Sequence, residues 1–135
     1  MNKLQLAIAD AKTSNAGNTY WPVKVKVLDK AGEEIERDAR IVVNPRFEEA
    51  YQEAVAQAKR CTVPSFNLLI TDMERAEGDY NGTGSTWRRG NGEHVGNFGF
   101  QGHNYDLTIK RDTDITGAPF EVTLDVKKPV DLATL

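Results

Sequence analysis

A strict alternation of apolar and charged residues marks the start of the chain's most regular segment. The alternating residues are Val23, Lys24, Val25, Lys26 and Val27. Because successive side chains of a β-strand point to opposite faces, this period of two predicts a strand with one apolar and one cationic face. The same parity turns Trp21 toward the apolar face and Tyr20 toward the cationic face. Alternatively, both rings pack over the end of the strand.

Five further segments show a similar period of two and also predict strands. These segments are residues 3–8, 34–44, 66–70, 105–109 and 120–126. The middle of the segment at 34–44 is polar, which favours a position at a sheet edge or a bulge.

A helix is predicted between the third and fourth strands. Asn44 is a favoured N-cap residue, Pro45 suits the first helical position, and Pro64 follows the end. Lys59 and Arg60 fall in the predicted last turn, where they complement the helix dipole. Apolar residues recur at helical spacing, so we expect this face to pack against a sheet. They are Phe47, Tyr51, Ala54, Val55 and Ala58.

The resulting order, β-β-β-α-β-β-β, predicts a mainly β chain with one helix. It is the order of an OB-fold-like antiparallel Greek-key barrel, although other all-β sandwiches with one packed helix share it. We expect one domain over residues 1–128, with a long glycine-rich loop at 76–103 and a frayed tail at 129–135. The loop is predicted because eight of the eleven glycines lie between residues 78 and 102, where no clear periodicity is visible.

Composition narrows the class of protein. A chain of 135 residues with 39% hydrophobic and 27% charged content is typical of one soluble globular domain. Cys61 is the only cysteine, which excludes an intramolecular disulfide and favours a reducing compartment. No run approaches the roughly 18 apolar residues of a membrane helix. We therefore predict a cytoplasmic protein, in the host cytoplasm if it is viral, with no membrane partner.

Charge is unevenly distributed along the chain. The net charge of -3 disfavours nucleic acid as a partner. However, residues 1–30 hold five lysines against two aspartates, and residues 81–111 hold four basic against two acidic residues. Both cationic stretches also carry aromatic rings. We expect them to meet beside a common cleft.

The second stretch combines rings and cations in a predicted loop. They are Trp87, Arg88, Arg89, Phe98, Phe100 and His103. Exposed rings in a loop have nothing to bury against, and stacking on the bases of a single-stranded nucleic acid would explain them. Alternatively, Phe98 and Phe100 are core residues of an extra strand, and Trp87 alone is exposed.

Residues 11–34, AKTSNAGNTYWPVKVKVLDKAGEE, resemble the first hairpin of small OB-fold single-stranded DNA-binding proteins, particularly those of phage type. The resemblance implies that groove aromatics stack on bases and that strand lysines line the phosphate path. The matching positions are Tyr20, Trp21, Lys24 and Lys26, while Trp87, Arg88 and Arg89 correspond only as members of the long loop. The acidic tail that such proteins often carry is not found after residue 128.

Catalytic alternatives have less support. His94 and His103, with Glu93 and Asp106 nearby, could furnish a two-histidine, one-carboxylate metal site, but their spacing is not characteristic of one. No residues favour a catalytic triad. We therefore predict no catalytic residue, no metal and no cofactor.

The sequence thus predicts a non-enzymatic protein that binds single-stranded nucleic acid, DNA rather than RNA, as an accessory factor in replication or recombination. The alternative is a viral structural or interaction protein that uses residues 78–103 as a protein interface. Examples are a tail or capsid component and an inhibitor of a host enzyme. The overall acidity favours this alternative, and a homo-oligomer is compatible with both.

Overall fold

The computed structural model describes residues 3–5, 11–70, 82–89, 92–111 and 120–127, which form nine strands and one helix. The prediction of a mainly β chain with one helix is confirmed. The elements are β1 (Lys3–Gln5), β2 (Lys12–Thr13), β3 (Thr19–Leu28), β4 (Glu34–Val43), α1 (Phe47–Ala56), β5 (Phe66–Ile70), β6 (Thr83–Arg88), β7 (His94–Phe100), β8 (His103–Arg111) and β9 (Phe120–Val126).

All strands belong to one antiparallel sheet with the order β1-β9-β8-β7-β6-β5-β4-β3-β2. From β2 to β9 each strand pairs with the next one along the chain, so the order is up-and-down. The predicted Greek-key order and six-strand count are not confirmed. One reason is that the predicted loop at 76–103 contains β6 and β7. The predicted tail at 129–135 lies outside the described residues.

The sheet curls into a barrel-like form. Leu4 of β1 pairs with Leu124 of β9, while Lys12 of β2 pairs with Tyr20 of β3. The strands β1 and β2 are close in sequence, yet they form the two opposite edges of the sheet, one beside β9 and the other beside β3. The sheet therefore has to curl so that its edges approach each other.

Tyr105 ties the two sides together across the interior. The Leu28 N–H of β3 donates a hydrogen bond of 2.7 Å to the Tyr105 hydroxyl of β8, although these strands are not neighbours in the sheet. Burial raises the pKa of Tyr105 above its ordinary value, and the bond from Leu28 acts in the opposite direction. The neutral phenol is therefore the form that the folded barrel favours.

The inner face of the sheet forms the core, and its members follow the period of two. They are Val23, Val25, Val27, Ala39, Ile41, Phe66, Leu68, Ile70, Phe98, Phe100, Tyr105, Leu107, Ile109, Val122 and Leu124. Trp21 packs against this cluster, whereas Lys24 and Lys26 are exposed. The predicted faces of β3 are therefore confirmed. Full burial of each large apolar side chain contributes about 1.5–3 kcal/mol.

Glycines let β6 and β7 approach closely around a buried ring. Gly84 lies opposite Phe98, and a Cβ on Gly84 would stand 2.9 Å from Cδ2 of that ring. A Cβ on Gly96 would overlap the carbonyl oxygen of Ser85. Phe98 fills the space above Gly84, an arrangement that supports glycine within strands.

Three of the described hairpins use the same glycine turn, at Gly17, Gly32 and Gly92. Gly32 donates to the Asp29 carbonyl over 3.0 Å, and Gly92 donates to the Arg89 carbonyl over 3.0 Å. Both glycines have positive φ, 82° and 86°. Between Asp29 and Glu33 this is the three-residue hairpin loop in which glycine takes the left-handed position.

The helix α1 contacts the sheet through the residues of its first turns. The Asn44 side chain accepts a bond from the Arg46 N–H, and the helix then begins at Phe47. Phe47 lies edge-on to His94 at 6.0 Å, but Val55 is 58% exposed. The expected packing of the apolar face is therefore seen at the first turn and is absent at Val55.

The end of α1 lies earlier than the sequence predicts. The last helical residue is Ala56. The Lys59 N–H then donates a hydrogen bond of 2.8 Å to the Ala54 carbonyl at the end of the helix. Lys59 and Arg60 consequently lie beyond the last turn, which corrects their predicted place. Within the described ranges, no helix has the length and apolar character needed to cross a membrane.

Candidate functional site

A groove of about 870 Å³ lies on the outer face of β6, β7 and β8, beside the segment that follows α1. The residues of its floor are cross-strand neighbours in the sheet. Trp87 pairs with Val95, and Val95 pairs with Thr108. One step along the same face, Asn97 pairs with Asp106. Trp87 is half-buried, so part of its ring is accessible to a ligand.

Basic side chains from two parts of the chain line this groove. Lys59 and Arg60 come from the segment after α1, and Arg88 and Arg89 come from the end of β6. All four are exposed. Arg88 and Arg89 are adjacent in sequence, but the other pair joins them only through folding.

Aromatic and acidic groups complete the electrostatics of the groove. The Arg88 guanidinium lies 4.8 Å from the centre of the Tyr51 ring, a cation–π contact that steadies the arginine. Two acids, Glu93 and Asp106, also line the groove. Lys110 lies 3.4 Å from the Glu93 carboxylate and partly neutralises it. Among the described lining residues, positive charge is therefore in excess.

The first predicted stretch lies elsewhere. Tyr20, Trp21, Lys24 and Lys26 are not among the residues that line the groove. The expectation that the two cationic stretches share a cleft is therefore wrong for this groove. Two strands, β4 and β5, separate β3 from β6 in the sheet.

The lysines of β3 face acids on β4. Lys24 lies 3.7 Å from Glu36, and Lys26 lies 3.9 Å from Glu34. Asp38 also lies opposite Lys24 in the register. A phosphate beside these lysines would therefore meet carboxylates as well.

The rings of β3 also have partners within the fold. Arg40 lies over the Tyr20 ring, 4.6 Å from its centre. Trp21 is partly buried against the core. These contacts place Tyr20 on the outer face and Trp21 on the inner face, as the parity of β3 predicts.

Three residues of the predicted site have structural roles. Phe98 and Phe100 are 1% and 3% exposed, so neither can stack on a ligand while the barrel is intact. They are core residues of a strand, as the alternative interpretation held. The Nε2–H of His103 donates to the Asp29 carbonyl over 2.8 Å and joins two hairpin turns. Because the carbonyl can only accept, this bond fixes the tautomer.

The two histidines considered as metal ligands are far apart. His94 begins β7, whereas His103 pairs with Phe100 at the other end of that strand. The two ends are six residue steps apart along the strand, about 20 Å. In the part of the chain that the structure describes, no three His, Cys, Asp or Glu side chains are placed to hold a metal ion.

Sequence reasoning does not identify most members of the groove. It assigns Lys59 and Arg60 to the helix dipole, Tyr51 to the buried helix face and Asp106 to a disfavoured metal site. For Lys59 and Arg60, the sequence offers one indication: the apolar periodicity of the helix stops after residue 58, so both cations lie outside the helix. Their position beside Trp87 depends on the path of the chain between α1 and β5.

No protein-family model, curated protein or solved structure matches the chain. Function therefore has to be inferred from the side chains that line the groove.

Proposed function

We propose that the protein binds single-stranded nucleic acid, DNA rather than RNA, in the groove beside β6, without catalysis. The observation that carries this proposal is the convergence of Lys59, Arg60, Arg88 and Arg89 around the accessible ring of Trp87. Proteins that bind single strands combine a cationic path for the phosphates with rings on which bases stack. A role as an accessory factor in replication or recombination follows from this activity as a hypothesis.

The groove suits a flexible strand better than a duplex. Trp87 lies on the floor, where a base has to leave its stack to reach it. A base stacked on a tryptophan contributes about 1–3 kcal/mol, with little dependence on which base it is. The arginines supply planar donors that match phosphate oxygens.

The resemblance of residues 11–34 to phage-type OB-fold proteins stays a hypothesis about ancestry. Cationic grooves with stacking rings occur on many folds, so the proposal does not depend on Greek-key strand order. Within the proposal, Tyr20, Lys24 and Lys26 lie outside the groove, so variants at these positions serve as controls.

Tryptophan fluorescence provides the test. Trp21 and Trp87 are the only tryptophans, so a Trp21→Phe variant makes Trp87 the sole reporter. Titration with a mixed-sequence single-stranded oligonucleotide at low salt should quench this emission. If each groove cation meets a phosphate, log K should fall with log salt at a slope near -3, from about -0.7 per contact.

Charge variants distinguish binding in the groove from non-specific electrostatic attraction of the oligonucleotide to the protein surface. Arg88→Gln with Arg89→Gln should reduce the steepness of the salt dependence by about 1.4. The matched control is Lys24→Gln with Lys26→Gln, which removes the same charge from β3. The proposal is refuted if the oligonucleotide causes no quenching at low salt, or if both variants change the slope equally.

A protein interface in the same groove is the second candidate. It is favoured by the mixture of Glu93 and Asp106 with the groove cations, a pattern that fits a protein surface of complementary charge. A viral tail or capsid component would assemble without nucleic acid. Rings or tubes in size-exclusion chromatography and negative-stain microscopy of nuclease-treated protein would support this candidate.

A further inference from the structure

The lining of the groove is not uniformly charged. Its four cations are Lys59 and Arg60 of the post-helix segment and Arg88 and Arg89 at the end of β6. On the floor, Asp106 of β8 lies opposite Asn97 of β7, three positions along β7 from the partner of Arg88. Both of these residues are exposed.

The field beside Asp106 disfavours phosphate. Asp106 also lies directly opposite Asp125 of β9, so two carboxylates occupy neighbouring positions on the outer face. Phosphate oxygens of a bound strand are repelled by both, and they gain energy beside the four groove cations and beside Lys110, which lies at the Glu93 end of β8. The part of the strand that reaches Asp106 is therefore a base and not a phosphate.

A neutral group beside a carboxylate has to donate hydrogen bonds, because an ionised carboxylate can only accept them. If the phosphates follow the cations and a base covers Trp87, the edge of a base is directed toward Asn97 and Asp106. The exocyclic amino groups of cytosine, adenine and guanine are such donors, and acidic side chains pair with the amino group of cytosine. Uracil and thymine instead present a carbonyl oxygen at the equivalent position, which the carboxylate repels.

We infer that the groove discriminates among bases, with the Asp106 carboxylate selecting those that carry an exocyclic amino group over uracil and thymine. This inference rests on the proposed function and adds a base preference to it. Trp87 stacks on any base, so it contributes affinity without base specificity. The Asp106 carboxylate contributes the specificity.

The test compares oligo(dC) with oligo(dU) of equal length. Cytosine and uracil have the same ring size, and they differ in the amino group that meets the carboxylate. The titration follows Trp87 emission in the Trp21→Phe protein at mildly alkaline pH, where oligo(dC) stays unprotonated. We expect oligo(dC) to bind about fivefold more tightly or better, the lower end of the range for one specific base contact.

Asp106→Asn tests the residue. An amide can both donate and accept, so the preference for oligo(dC) should fall to nearly onefold in this variant. Loss of a negative charge should also strengthen binding of both oligonucleotides alike, which is why the ratio of the two affinities is the readout. Asp125→Asn is the matched control, because it removes the same charge from the neighbouring strand without lining the groove. Its ratio should equal that of the parent protein.

The outcomes separate this inference from the proposal beneath it. If neither oligonucleotide quenches Trp87, nucleic-acid binding itself is refuted. If both bind with equal affinity, the groove binds strands but the base preference is overturned. A preference that persists in Asp106→Asn, or that Asp125→Asn removes equally, would overturn Asp106 as the selecting residue.

Discussion

The β3–β4 hairpin and the β6–β7 hairpin both carry rings and cations, yet their surfaces differ. In the first, Lys24 and Lys26 lie opposite Asp38 and Glu36, so each positive charge is matched across the strands. In the second, Trp87 lies opposite the uncharged Val95, and the arginines beyond it share the groove with two further cations and with Glu93. The comparison shows that the local charge of a surface depends on cross-strand partners as well as on the number of lysines and arginines along a segment.

The two hairpins also differ in how their backbones pack. The strands of the first contain no glycine, and large side chains alternate along them. In the second, Gly84 and Gly96 occupy positions where a side chain would collide with the partner strand. The first hairpin is therefore specified by side-chain packing, and the second by close approach of backbone and ring.

The largest effect is expected for Gly96→Ala. Its new methyl group would overlap the backbone of Ser85 and stand 2.9 Å from the Cα of Thr86, neither of which can rotate away. We expect a loss of more than about 3 kcal/mol in the free energy of unfolding, measured by urea denaturation. Gly32→Ala in the first hairpin is the control, because its site is open and only the positive φ opposes alanine. It should cost about 1–2 kcal/mol, and equal losses would contradict the distinction.

Trp87→Ala is expected to have the next largest effect, on binding. Loss of one stacked base should weaken the affinity for single-stranded oligonucleotides by about 1–3 kcal/mol. The measurement is fluorescence anisotropy of a labelled oligonucleotide. Tyr20→Ala is the matched variant in the first hairpin and should leave affinity within experimental error. An effect of Tyr20→Ala as large as that of Trp87→Ala would make the first hairpin part of the site.

Tyr105→Phe tests the link between the first hairpin and β8. The variant leaves the Leu28 N–H without its 2.7 Å acceptor, which should cost about 1–2 kcal/mol in urea denaturation.

The same residue predicts a dependence on alkaline pH. Because the pKa of Tyr105 is raised in the folded state, its contribution to stability is fully present below the unfolded value near 10. That contribution is lost as the pH rises from there through the raised folded value. The free energy of unfolding should therefore fall less steeply above pH 10 in Tyr105→Phe than in the parent protein. Identical slopes would show that Tyr105 does not contribute.

The smallest effect is expected for Lys24→Gln with Lys26→Gln. Both ion pairs are exposed, at 3.7 Å and 3.9 Å, and such pairs contribute only a few tenths of a kcal/mol. We expect the free energy of unfolding to change by less than about 0.5 kcal/mol. A loss well above that value would mean that the ladder of charges on β3 and β4 holds the first hairpin together.

The first hairpin was predictable from sequence because its signal is local. Alternation at 23–27 identifies both the strand and its faces. The strand β6 was not predictable in this way, and β7 was one of two alternatives for Phe98 and Phe100. Inner positions of β6 are held by Gly84 and by Thr86, whose buried hydroxyl lies 2.9 Å from that of Ser65, so the apolar half of the pattern is missing.

The candidate site was predictable only in part. Trp87, Arg88 and Arg89 are adjacent in sequence, so a local reading identifies them as a group. Lys59 and Arg60 reach them only because the chain after α1 returns along the outer face of the sheet. The balance of charge on β3 likewise depends on a register that a single strand does not reveal.

The pairing of β1 with β9 sets an order of events during synthesis. Leu4 and Leu124 are 120 positions apart, yet they are partners in the sheet. At translation rates of about 5–20 residues per second, the early strand has to wait roughly 6–24 s for its partner. Until β9 has been synthesised, residues 3–5 have no partner among the described strands.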